Sequence, residues 1–155
     1  MNQPVPEVLR ITAEFVLNND LKRTLDADPP DVVRIAMLVE IVKREGVKLE
    51  ETGLAYIASN SLNRLMRRFQ QEPQRVELLD RVHIFATIMQ MCPLSINYWE
   101  AQNIFYSVLK RAYPVMARKT DSGSRIWREK FLRLGEILQV SVPRMEPKAE
   151  LQLAS

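Results

Sequence analysis

The chain of 155 residues contains one cysteine, Cys92, and one histidine, His83. A lone thiol cannot form an internal disulfide, and one His with one Cys cannot complete a four-ligand zinc site. Glycine is equally scarce, with four in all. No Rossmann fingerprint, phosphate-cradling loop or nucleophile elbow occurs, so no cofactor is expected. No apolar run approaches the roughly 18 to 20 residues needed to cross a bilayer. The N-terminus also lacks the charged and apolar regions of a signal peptide. A cytoplasmic chain with neither metal nor membrane partner is the expectation.

What is present favours helix. Hydrophobic residues make up 46% and charged residues 26% of the chain, which is the globular range rather than the disordered one. Leu, Arg, Glu and Met are abundant, and these side chains lose little rotamer freedom in a helix. At this length one domain can bury roughly two thirds of the unfolded chain's surface. The net charge of +3 is mild and gives only slight preference to anionic partners.

Periodicity predicts an all-α domain over 1–140, an irregular bundle of five or six helices, with stacked helical hairpins as the alternative. Val5, Val8, Leu9, Thr12, Phe15 and Val16 mark the inward face of a first helix. Asn18-Asn19-Asp20 should weaken that helix, because short polar side chains compete for backbone bonds; Leu21 and Leu25 resume it briefly. Asp28 and Pro29 are placed to open a second helix, which Gly46 ends. Val32 through Val42 is apolar nearly all round, the pattern of a buried central helix.

A third helix turns Leu54, Ala58, Leu62, Leu65 and Phe69 inward and Asn60, Asn63, Arg64, Arg67 and Arg68 outward. The fourth starts after Glu72-Pro73 and ends before Cys92-Pro93. Asn97 and Glu100 have the spacing of a capping box for the fifth, and Pro114 should kink or end it. Trp127, Phe131, Leu134 and Leu138 line the last helix, and residues 141–155 are expected to be a flexible tail. The openings at Pro30 and Pro73 hint at a repeat, but the residues that follow match poorly.

Candidate chemistry is thin. His83 borders an apolar arc with no recognisable nucleophile or acid beside it, and Cys92 sits before a proline at a helix end; both read as packing residues. The carboxylates cluster at helix starts, where capping and the helix dipole account for them. Between Ile104 and Gly135 eight cations face two acids. Lys110, Arg111, Arg118, Lys119, Arg125 and Arg128 form the candidate basic surface. With Tyr106, Tyr113 and Trp127 it has elements of a phosphate-tracking, base-stacking face. Trp127 is better placed in the core and no nucleic-acid motif occurs, which argues against nucleic acid and for a protein-docking or solvated face.

The segment Asn97-Tyr98-Trp99-Glu100-Ala101-Gln102-Asn103-Ile104-Phe105-Tyr106 carries the sharpest signal. Ala101, Ile104, Phe105, Val108 and Leu109 share one arc, with Trp99, Gln102 and Tyr106 on its flank and Asn103 beyond. An indole and a phenol beside two amides can stack on a sugar face and bond its hydroxyls. The plainer reading has Trp99 and Tyr106 sealing the core's edge while Gln102 satisfies a backbone group.

The overlapping run Leu94-Ser95-Ile96-Asn97-Tyr98-Trp99-Glu100-Ala101-Gln102-Asn103, with Pro6-Glu7-Val8-Leu9-Arg10-Ile11-Thr12-Ala13-Glu14-Phe15-Val16-Leu17-Asn18, resembles a helical domain of unknown function. That domain follows the catalytic barrel in a branch of glycoside hydrolase family 57, the amylase-like proteins. The resemblance covers about Pro6 to Ala117. It implies a non-catalytic accessory module that packs on a barrel of the same polypeptide and touches α-glucan. The family's nucleophile and acid belong to that barrel, so no catalytic residue carries over.

Overall fold

A computed structural model describes residues 6–142. Seven helices and no strand occur among them: α1 (Glu7–Asp26), α2 (Val32–Glu45), α3 (Glu51–Gln71), α4 (Val76–Met91), α5 (Trp99–Arg111), α6 (Tyr113–Arg118) and α7 (Ser122–Ile137). The class is all-α, with more helices than the sequence pattern suggests.

The additional helix comes from Pro114. It lies in the first turn of α6, where the missing N–H has no intrahelical acceptor to satisfy. The proline therefore starts a new short helix where the sequence suggested a kink in or an end to α5.

The helices pack in successive pairs. α1 lies on α2, α3 on α4, and α6 bridges α5 and α7. Between pairs, α1 meets α3, α2 meets α4, α3 meets α5, and α4 meets α7. The centre is held by α3, whose Leu54, Ala58, Leu62, Met66 and Phe69 are fully buried. α2 is not the central helix: Ile35, Leu38, Val39 and Val42 are buried, while Val33 and Met37 face solvent. Its all-round apolar composition reflects an uncovered outer side rather than a central position.

Aromatic packing joins α3, α5, α6 and α7. The rings of Phe105 and Phe131 stack at 4.3 Å, and Trp127 stacks on the same Phe131 at 4.9 Å. Phe69 and Tyr113 flank this pair. Gly135 makes the approach possible, since a Cβ there would lie 2.7 Å from the Phe105 ring. Trp127 is fully buried and its indole N–H donates to the Pro73 carbonyl at 2.7 Å; Pro73 itself lies in the turn before α4.

Several local expectations are corrected. α1 runs unbroken through Asn18-Asn19-Asp20: the Asn18 amide donates to the Glu14 carbonyl one turn back at 2.8 Å with the helix intact, and it also reaches a neighbouring loop. Its Nδ2 donates to the Lys48 carbonyl at 3.0 Å and its Oδ1 accepts from the Glu50 N–H at 2.7 Å. Val8, Leu9, Phe15 and Val16, expected inside, are exposed, and the buried residues of α1 are Leu21, Thr24 and Leu25.

Asp31, not Asp28, caps α2 by accepting from the Arg34 N–H, while Asp28 pairs with Arg68 of α3. Gly46 does end α2 in the left-handed conformation, at φ +63. Val140 is buried and Val142 lies against the core, whereas the rest of the expected tail, 143–155, and Val5 fall outside the described residues.

Candidate functional site: a cleft between α3 and α5

Ser59, at a one-turn spacing from Ala55, fixes where the α4–α5 connection crosses α3. Its hydroxyl donates to the Ala55 carbonyl and accepts from the Asn97 N–H at 2.9 Å. Asn97 in turn accepts from the Trp99 N–H at 3.0 Å. That bond turns the chain into α5 and sets the indole at the edge of α3.

Glu100 does not reach back to close a capping box. It crosses to α3, accepting from Asn63 Nδ2 at 3.0 Å and pairing with Arg67. The tie draws Asn63, expected on the outer face, into the interface, where it is buried.

The result is a cleft of about 550 Å³. Tyr56 and Trp99 line it, each about 70% exposed. Ala55 keeps part of the lining small, and the polar groups are chiefly Asn60, Asn63, Asn97 and Ser95 with Glu51 and Glu100. Among the described residues no lysine or arginine lines the cleft. The Asn63 side-chain oxygen is buried and, among the described residues, meets no donor. A buried acceptor left in this state costs about 1 to 3 kcal/mol. The cleft therefore suits a ligand with hydrogen-bond donors and apolar faces, and its carboxylates disfavour phosphate or other anions.

Of the four sugar-contact candidates, only Trp99 lines this cleft. Gln102 donates from Nε2 to the Leu138 carbonyl at 2.7 Å, closing the C-terminal end of α7. Asn103 is exposed on α5 outside the cleft lining. Tyr106 sits edge-on to Phe105, with ring centroids 6.5 Å apart. Tyr56, Asn60 and Asn63 were missed as a set, although their signal was present. They form an uncharged polar stripe on α3, at spacings of four and three, between Glu51 and Arg64.

The basic candidates divide as well. Lys110, Arg111, Arg118, Lys119 and Arg125 are exposed. Arg128 instead donates to the carbonyls of Met116, Ala117 and Lys119, binding the end of α6 to α7. Lys130 pairs with Asp80. Tyr113 is half-buried beside Trp127, so neither ring is a free stacking platform.

Of the remaining chemical candidates, His83 is half-buried and Cys92 is buried. Burial, then the nearby charges of Lys130 and Arg133, hold the His83 imidazole below its ordinary pKa, with Asp80 opposing them. Burial pushes the Cys92 thiol up to about 11, against a weaker pull from Lys43. A thiol held that high is not a nucleophile at neutral pH. Among the described residues no cluster of three or more His, Cys, Asp or Glu is placed to hold a metal, and no helix is long and apolar enough to cross a membrane. Compared with protein-family models, curated proteins and solved structures, the chain matches none.

Proposed function

We propose that the chain is a non-catalytic helical accessory domain of an α-glucan-acting glycoside hydrolase, packing on a catalytic barrel and taking glucan in the α3–α5 cleft. The observation that carries this reading is the pairing of two exposed aromatic rings, Tyr56 and Trp99, with an amide-lined cleft that no lysine or arginine of the described residues lines. Glucose units present C–H faces that stack on aromatic rings and hydroxyls that bond amides in both directions. The likeness to the helical domain of glycoside hydrolase family 57 supports the same ligand class.

Calorimetric titration with a maltooligosaccharide tests the proposal. Wild type should bind, and Trp99→Ala and Tyr56→Ala should each weaken binding roughly tenfold, the loss of about 1.4 kcal/mol of stacking. Absence of binding to wild type removes the ligand assignment.

A second reading rests on the five exposed cations Lys110, Arg111, Arg118, Lys119 and Arg125. The ion pairs between helices use other residues, such as Lys130, Arg67 and Arg68. A protein partner with an acidic surface is the alternative occupant of that face. Capture by such a partner should disappear when Lys110, Arg111 and Arg118 are reversed to Glu, and unchanged capture excludes this reading.

A further inference from the structure

A neutral sugar accounts for the rings and amides of the α3–α5 cleft but not for its charge. Two carboxylates, Glu51 and Glu100, belong to the lining, and among the described residues no lysine or arginine joins them there. The two acids are not equivalent. Glu100 is already engaged by Arg67 and by the Asn63 amide. Glu51 is exposed and forms no ion pair among the described residues, whereas its neighbour Glu50 takes Lys22.

Glu51 opens α3. At 100° per residue the order across the cleft side of that helix is Glu51, Ala55, Thr52, Tyr56, so the carboxylate and the phenol ring stand at the two sides of smaller residues. Trp99 faces the same space from the start of α5, where Asn97 accepts its N–H. The helix dipole favours an acid in a first turn. It does not explain why that acid shares a cleft with two rings left about 70% exposed.

The face of an aromatic ring is negative and attracts a cation lying within about 6 Å of its centre. A carboxylate nearby adds to that attraction, and a lining without lysine or arginine leaves it uncontested. The kind of cation is restricted by the donor set. A divalent metal needs several oxygen ligands, and among the described residues no group of three or more His, Cys, Asp or Glu is placed to supply them. A primary ammonium carries three N–H donors that each want an acceptor. An alkylated ammonium wants none, because its charge is spread over C–H groups that pack directly on ring faces. The cleft volume of about 550 Å³ leaves room for the group that bears it.

We propose that the cleft binds an alkylated ammonium group against the Tyr56 and Trp99 rings, with Glu51 as its counter-charge. This goes beyond the glucan reading and does not depend on it. Because the same rings are used, the two ligands compete.

Calorimetric titration of the full chain with choline at fixed ionic strength tests the proposal, beside the neutral isostere that carries a tert-butyl group in place of trimethylammonium. Choline should bind about fivefold more tightly than the isostere. Trp99→Ala and Tyr56→Ala should each weaken choline about fivefold. Glu51→Gln should weaken choline about threefold and leave the isostere unchanged. All three side chains are exposed, so circular dichroism should match wild type. The comparison of choline with the isostere needs no variant at all. Absence of choline binding, equal binding of the isostere, or an affinity for choline that none of the three variants alters overturns the proposal. Choline binding without maltooligosaccharide binding supports it and removes only the glucan reading; the reverse pattern overturns it and leaves the glucan reading standing.

Discussion

Asp121 shows how one side chain sets a helix start. Its carboxylate accepts from the Ser124 N–H at 2.9 Å and from the Ser124 hydroxyl at 2.8 Å. These bonds, the backbone one foremost, hold its pKa below the usual carboxylate range. A depressed folded-state pKa contributes stability above the unfolded value and loses it as pH falls through the folded value. Asp121→Ala should therefore lower the thermal midpoint at neutral pH, and the gap to wild type should narrow as the solution is acidified below the normal aspartate range. His83 offers a parallel reading, because it is the single histidine in the chain. Its imidazole resonance in a proton NMR titration should turn over below the ordinary histidine value. The sign for stability follows: this contribution is complete above the unfolded pKa and declines as pH falls toward the folded one. A midpoint above the ordinary value would mean that Asp80 outweighs burial and the two cations.

At the scale of elements, close approach and amide bonding decide where the helices sit. Gly135→Ala gains about 1 kcal/mol of helix propensity but forces a Cβ against the Phe105 ring, an overpacking cost of about 1 to 3 kcal/mol. The ring is fully buried and stacked on Phe131, so it cannot yield. Overpacking wins, and urea unfolding should show a net loss of about 1 kcal/mol. Asn18→Ala removes two bonds to the α2–α3 connection and should cost about 1 to 2 kcal/mol. These effects show what was legible in the chain. Inward residues of α3, α5 and α7 were read correctly from their spacing, because each of these helices turns one continuous stripe to the core. α1 was misread because its apolar arc is opposite its packing face, and because Asn18 finds partners 30 and 32 residues away. Spacing registers an apolar face but not what covers it.

At the scale of the whole molecule the cleft depends on parts far apart in sequence. Trp99 was legible as an aromatic beside amides, while Tyr56 and Asn63 come from another helix brought alongside by the Glu100 bond to Asn63. Gln102 was legible as polar but could not be assigned to the Leu138 carbonyl without knowing how α5 meets α7. The two tryptophans make the functional proposal directly measurable. Trp127 is buried and Trp99 is 70% exposed, so collisional quenching by acrylamide reports chiefly on Trp99. The decisive measurement is acrylamide quenching of the full chain with and without saturating maltooligosaccharide. If the cleft takes α-glucan, the sugar should shield Trp99 and lower the quenching constant toward that of Trp99→Phe, in which only buried Trp127 emits. A quenching constant unchanged by the sugar contradicts the assignment.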